Sequence, residues 1–301
     1  MLIQDKIAAF IVIFIWGINF YFMKLAVAEV DPMLLGFLRF SMVLLPAIFF
    51  IKKPNIKWKW LLLYGFIGNF AQFAFMFSAI ALDLPTSLAS LVVQSQAFFS
   101  VLIAAFVLGE RARKNEWIAM IIAAVGLLLI ALGQTYSHVP LIGLLMVLGS
   151  ALSWAIGNII VKKIGKTHPL GLVLWGNLLT PFWFLLFSLY QHGAPHVASS
   201  LQLLSWKGWL SSAFLAYFAT LIGYGLWVYL LAKYSAGKIT PLSLWVPVVS
   251  MIFAFLLLHE TLNSWQLSGS AVIMLGLFIH LFGQKIAFFK TNRPLDTHKK
   301  G

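Results

Sequence analysis

The sequence predicts an all-α polytopic membrane protein: ten transmembrane helices arranged as two inverted five-helix repeats, with both termini cytoplasmic. Three observations carry that reading: an apolar surplus, ten apolar runs of spanning length, and a self-similarity at an offset of 150 residues. Of 301 residues, 61% are apolar and 10% charged, against about 45–50% and about 25% in soluble domains, and the mean hydropathy is +0.95. A water-facing shell has no room for such a surplus. A helix crossing about 30 Å of hydrocarbon needs ~20 mostly apolar residues. Runs of that kind occupy 7–27, 33–51, 60–82, 86–108, 117–133, 141–161, 170–190, 209–231, 239–258 and 265–284. The first is interrupted by Trp16, Asn19 and Lys24 and lacks a small-residue cleavage site, so it reads as a span and not as a leader. Pro46, Pro181 and Pro247 fall inside spans, where each is expected to kink its helix. The longest loop, 191–208, carries Gly193 and Pro195 and is expected along the surface.

The net charge of +13 would suggest a nucleic-acid partner in a soluble protein. Here its distribution gives another meaning. With the N-terminus inside, the outer segments hold Lys207 alone and the spans hold Lys24 and Arg39, which leaves 18 of 21 basic residues on the inner side. That asymmetry places both termini in the cytoplasm and argues for no nucleic-acid partner. Glu29, Asp31, Asp83 and Glu260 fall on the outer side. Cysteine is absent, which excludes disulfides, thiolate metal sites and a Cys nucleophile.

AAFVLGERARKNEW around residue 110 and FAFLLLHETLNSWQ around residue 260 match with Leu108 on Leu258 and Glu110 on Glu260. Gly126 and Gly133 match Gly276 and Gly283, and WGINFYFMK from Trp16 resembles WAIGNIIVKK from Trp154. Five spans separate equivalent points, and an odd number inverts the second copy. The flanks agree: Arg111, Arg113 and Lys114 follow Glu110, whereas uncharged Thr261, Leu262, Asn263 and Ser264 follow Glu260. The expected units are residues 1–137, 138–288 and a basic cytoplasmic tail at 289–301.

These same motifs, with the LRF containing Arg39 and the paired Trp154 and Asn158, resemble the EamA branch of the drug/metabolite transporter superfamily over nearly the whole chain. SLASLVVQSQAFFS at 87–100, NFAQFAFMFSAI at 69–80 and SWAIGNIIVKK at 153–163 are most similar to exporters of O-acetylserine and cysteine. The resemblance implies an inner-membrane protein with a central cavity lined mainly by helices 1, 3, 4, 6, 8 and 9.

Polar groups within hydrocarbon are costly unless paired or facing water, so they are the candidates for substrate contact. Helix 1 offers Trp16 and Asn19, helix 3 Asn69 and Gln72, helix 4 Ser90, Gln94 and Gln96, and helix 6 Asn158. At 100° per residue Gln94 and Gln96 stand about 200° apart, so the two are not expected to line one narrow cavity equally. Tyr217, Thr220, Tyr224 and Trp227 in helix 8 recur at spacings of 3, 4 and 3 as one stripe, and helix 9 adds Ser243 and Trp245. Many of these side chains could instead bridge helices or fill a core. Arg39 and Lys24 are candidates for a substrate carboxylate, and both lie near enough to the outer interface to snorkel. Small residues every seventh position, Ala119, Gly126 and Gly133 with Gly269, Gly276 and Gly283, suit close packing, within the protomer or between two copies of a homodimer.

Enzyme chemistry finds little support. His259-Glu260 begins like HExxH, but Asn263 occupies the second ligand position. His192 and His196 are separated by Gly193 and Pro195, which argues against a shared helical face. No phosphate-binding GxxxxGK[ST] occurs, and nothing calls for a cofactor or metal. The spans lack a central carboxylate, which favours facilitated efflux or coupling by a less obvious group, and a lone His280 in helix 10 reads as structural. The expected function is export of small zwitterionic, amino-acid-like metabolites across the lipid bilayer by alternating access. The alternatives are a broader amino-acid, aromatic-compound or drug exporter and, in another class, a non-transporting membrane sensor or partner subunit.

Overall fold

The computed structural model describes residues 1–109, 114–133, 140–165, 167–234 and 239–291. Glu110, Arg111, Arg113, Lys166, Lys238 and the tail from residue 292, all used above, lie outside the described residues. The architecture is helical. Helices α1 (Ile3–Val27), α2 (Pro32–Ala47), α5 (Lys114–Leu132), α6 (Leu141–Ile164) and α10 (Ser264–Thr291) are continuous. Helix α3 joins Trp58–Leu63 and Gln72–Ala81 through a π-helical stretch at Tyr64–Ala71. Helix α4 joins Thr86–Val92 and Gln96–Leu108 through a 3-10 turn at Val93–Ser95. Helix α7 runs as Pro169–Gly176 and Thr180–Leu203, and α8 as Trp206–Ala213, a π-helical Phe214–Ile222 and Gly223–Lys233. Helix α9 begins with a 3-10 turn at Thr240–Leu244 and continues as Trp245–Leu258.

Among the described residues, eight helices are long and apolar enough to cross a membrane, while Pro32–Leu45 and Leu242–Leu258 are apolar but shorter. The prolines explain part of this. Pro46 is the next-to-last residue of α2, and the helix stops there instead of kinking and continuing. Pro181 sits in the first turn of its helical stretch, where a missing N–H costs no internal bond, and Pro247 lies within α9 just after its 3-10 turn gives way to regular helix. The expected loop 191–208 is also corrected. α7 stays helical to Leu203 and breaks only at Gly193, whose φ of 80° is open to a residue without Cβ. The His192 and His196 rings end 5.0 Å apart across that break.

The sequence repeat has a backbone counterpart. The π-helical stretches begin at Tyr64 and Phe214, 150 residues apart, and the two 3-10 turns fall at Val93–Ser95 and Thr240–Leu244. α4 and α9 end alike. Gly109 and His259 take left-handed φ values of 68° and 53°, and their N–H groups bond to the carbonyls of Ala104 and Ala254.

The core runs through the interior as an aromatic and aliphatic cluster that includes Phe40, Phe73, Phe77 and Phe184. Phe40 stacks on Phe184 at 5.7 Å and meets Phe73 edge-on at 5.5 Å. The small-residue stripes of α5 and α10 face each other within the chain. A Cβ added to Gly126 would lie 2.7 Å from the Gly269 carbonyl oxygen, and one added to Gly269 would lie 2.6 Å from that of Gly126. Asn263 fastens the end of this pair by donating to the Gly133 carbonyl at 2.9 Å. The stripes therefore join the two halves of one chain, and this surface is not free for a second copy.

A matched pair of substitutions measures that contact. Gly126→Ala should cost about 1–3 kcal/mol, because the obstacle is backbone and not a side chain that can rotate away. Gly225→Ala, where nothing lies within 4 Å of the new Cβ, should be neutral or stabilising by up to about 1 kcal/mol. Thermal unfolding of the detergent-solubilised protein checks both.

Candidate functional site

A cavity of about 880 Å³ opens among α1, α3, α4, α6, α8 and α9, the six helices the resemblance implied. Three more reach it: α2 through Arg39, α5 through Glu116, and α10 through Leu277, His280 and Leu281. Eleven of the candidate residues line it: Trp16, Asn19, Arg39, Gln72, Ser90, Gln94, Gln96, Asn158, Tyr224, Trp227 and Ser243.

Arg39 is its most strongly constrained group. The expectation of snorkelling is corrected here: the side chain is 2% exposed and turns inward. Its guanidinium lies 4.1 Å from the Phe73 ring centroid and 5.7 Å from that of Phe40, a cation–π arrangement within a dry wall. One Nη2–H bonds to Thr220 Oγ1 at 3.1 Å, and that hydroxyl donates onward to the Leu215 carbonyl at 2.9 Å. Leu215 and Thr220 both lie in the π-helical stretch of α8. Nε and Nη1 are buried and without a hydrogen-bond partner. Buried donors left unsatisfied cost about 1–3 kcal/mol each, more when charged, and these belong to a residue on the wall of this cavity.

Opposite electrostatic character appears on α1. Asn19 donates weakly to the Met23 sulfur at 3.8 Å, and its Oδ1 is a buried acceptor without a partner. Trp16 stands 5.3 Å from both Tyr224 and Trp227, measured between ring centroids. Its indole N–H donates to the Ala219 carbonyl at 3.0 Å, again in the π stretch. Gly223 makes room for that indole, since a Cβ there would lie 2.4 Å from Nε1.

The helical irregularities decide which candidates meet. In the π stretch of α8, bonds run i to i+5, so a stripe drawn at 100° per residue is lost. Tyr217 is 38% exposed and outside the cavity, whereas Tyr224 and Trp227 line it. A 3-10 turn advances about 120° per residue, which brings Gln94 and Gln96 closer together than the α-helical expectation, and both line the one wide cavity. Gln94 donates to the Ser243 carbonyl at 3.3 Å, and Asn158 donates to Gln96 Oε1 at 3.1 Å. Trp245, just after the 3-10 turn of α9, points outward and is 58% exposed. Asn69 leaves the main cavity for a second chamber of about 330 Å³, where it is joined by Tyr64. Gln72, Trp154, Asn158 and Tyr224 line both chambers and form the partition. Lys24 is also displaced from the candidate set: its ammonium is held by Asp83 at 2.6 Å and by the Ile80 carbonyl. Glu116, which hydropathy alone sets at the edge of a span, is a lining residue the sequence reading missed.

The ends of the bundle are tied by carboxylates. Glu260, after α9, accepts from the N–H and hydroxyl of both Thr86 and Ser87 at 2.8–3.1 Å, capping the N-terminus of α4. Glu29 accepts from the N–H and hydroxyl of Ser205 in the same manner. At the other end, buried Asp5 gathers the hydroxyls of Tyr229 and Tyr234 and the ammonium of Lys233. The Tyr229 hydroxyl, followed by Asp5, holds that ammonium protonated above its usual range.

A family model described as the EamA-like transporter family matches residues 6–132 and 141–282. A Salmonella typhimurium protein named a probable amino-acid metabolite efflux pump is 41% identical over 288 residues, covering 94% of this chain and 96% of its own. An Escherichia coli protein of the same name is 41% identical over 93% and 95% of the two chains. A solved crystal structure shares the fold at a TM-score of 0.62 and 17% identity, covering 94% of this chain and 98% of that one.

The carboxylate clamp can be read directly because the chain has no cysteine of its own. In a Thr86→Cys, Glu260→Cys variant the two thiols should be joined by a short bifunctional thiol reagent, detected as a linked peptide by mass spectrometry. A Thr86→Cys, Tyr217→Cys control should not be.

Proposed function

The chain belongs to the EamA-like transporter family, and on that premise we propose that it exports small zwitterionic metabolites of the amino-acid type, O-acetylserine and cysteine among them. The observation that carries this reading is the orphaned pair of Arg39 donors, Nε and Nη1, buried on the wall of the cavity. A planar, permanently charged guanidinium with unused donors on both of its edges, Nε–H on one and Nη1–H on the other, suits a carboxylate bound by charge-assisted hydrogen bonds. The unpartnered Oδ1 of Asn19 and the faces of Trp16, Tyr224 and Trp227 suit the ammonium of the same molecule. Gln72, Gln94, Gln96, Ser90 and Asn158 supply neutral hydrogen bonds around it.

In this reading the chain crosses the inner membrane ten times with both termini cytoplasmic, as the distribution of basic residues supports. The units 1–137 and 138–288 are inverted copies that rock about the midplane cavity, exposing it to one side and then the other. The recurrence of π stretches 150 residues apart, with a 3-10 turn following in each half, supports the pairing of the copies. A second reading, a broader exporter of amino acids, aromatic compounds or drugs, is favoured by size. About 880 Å³ falls in the upper part of the about 300–1,000 Å³ common to pockets for drug-sized ligands.

Uptake of labelled O-acetylserine, cysteine and a panel of amino acids into proteoliposomes tests both. Flux of the first two supports the narrower reading, flux of aromatic amino acids without them supports the broader one, and no flux of any removes the transporter reading. Arg39→Gln should lower flux about 10- to 100-fold, the equivalent of one charged hydrogen-bond pair at about 1.5–3 kcal/mol. Arg39→Lys should rescue only part of it, since an ammonium lacks the fork. Gln72→Ala and Gln94→Ala should lower flux without loss of folded protein.

A further inference from the structure

Beyond Arg39, the cavity wall holds further ionisable groups, which the reading above leaves unassigned. His280 of α10 lines the cavity together with Glu116 of α5 and Lys162 of α6. Its ring meets Phe98 of α4 edge-on at 5.5 Å, and its Nδ1 is buried without a hydrogen-bond partner. A histidine serving as a strut between helices would have that nitrogen bonded. The elements packed on α10 around it are α5, α4 (Thr86–Leu108) and the 3-10 turn of α9, and of these α5 alone carries titratable side chains, Lys114 and Glu116. Glu116 lines the cavity with His280 and acts on it electrostatically, and Lys162 of α6 stands on the same cavity wall.

We propose that His280, with Glu116 as its counter-charge, is a proton-binding site of the cavity and couples export to the proton gradient. This rests on the transport reading above. Histidine is the side chain whose ordinary titration falls between pH 5 and 8. The step is reversible protonation: the imidazole takes a proton from one aqueous side, becomes an imidazolium beside the Glu116 carboxylate, and returns it to the other side. A protonated His280 adds positive charge to a cavity that already carries Arg39 and Lys162, which disfavours the substrate's ammonium. Loss of the proton removes that penalty. Proton and substrate then weaken each other's binding by the same factor, as linkage requires, and mutual exclusion of this kind is the condition for antiport. It also supplies the ionisable group that the spans lack in the form of a central carboxylate.

The test uses the full-length protein in proteoliposomes with the membrane potential clamped at zero and labelled O-acetylserine, or cysteine, as the probe. With an acidic lumen, the substrate should accumulate inside about tenfold per pH unit at one proton per substrate. Exchange of labelled for unlabelled substrate at equal pH should proceed as well. His280→Gln should abolish accumulation while keeping exchange within about threefold, and Glu116→Gln should move the pH dependence of accumulation to lower pH. Exchange without any response to the gradient in the unmodified protein overturns the proposal and leaves the transport reading intact, whereas absence of exchange removes both. If His280→Gln does not fold, the unmodified protein decides alone: adding substrate in weak buffer should release protons to a pH-sensitive dye, and no release overturns the proposal.

Discussion

Hydrocarbon offers no hydrogen-bond partners, so every polar group in this bundle has to be satisfied by the protein itself or by what enters its cavity. The π-helical stretch of α8 shows the consequence most directly. Its carbonyls at Leu215 and Ala219 accept from Thr220 and Trp16, and Thr220 in turn holds one arm of Arg39. A regular helix would have its carbonyls committed to its own N–H groups. The irregular backbone thus positions both the guanidinium and the aromatic cluster, and the remaining guanidinium donors are left for a ligand.

The ionisable groups are sorted by the same constraint. Glu260, Glu29 and Asp5 stand at helix ends, where helix N-termini, hydroxyls and an ammonium satisfy them. Lys24 is neutralised at the surface by Asp83. The charges on the cavity wall are Arg39, Glu116 and Lys162, with the imidazole of His280 beside them. A cavity built in this way is apolar and aromatic over most of its wall and polar at a few fixed points.

The two halves of the chain meet through contacts of different kinds. α5 and α10 approach backbone to backbone through Gly126 and Gly269, which leaves no slack for a side chain. α4 and α9 are joined by polar contacts, from Glu260 to Thr86 and Ser87 and from Gln94 to the Ser243 carbonyl. Small-residue seams hold by close packing, while hydrogen-bonded clamps can exchange partners with water. The two halves therefore meet through one seam of close backbone packing and one of polar contacts.

Composition, periodicity and charge placement by themselves determined that the chain is a membrane protein and that its helices come in two related sets, because these depend on residue averages over about twenty positions; which helices line the cavity came from the family resemblance. The polar and aromatic residues Trp16, Asn19, Gln72 and Asn158 could be named from their place within apolar runs, and they line the cavity. The tertiary structure alone decided the rest. Tyr217 and Trp245 turned outward and Gln94 and Gln96 came to share one cavity because π and 3-10 stretches change the angular register, and nothing in residue type marks where such a stretch begins. Arg39 turned inward because Thr220, 181 residues away in sequence, offered its hydroxyl. Lys24 was withdrawn from the site by Asp83, and the small-residue stripes were used within one chain because α10 reached α5. Pairings of that kind depend on which distant segment arrives, and local pattern carries no record of it.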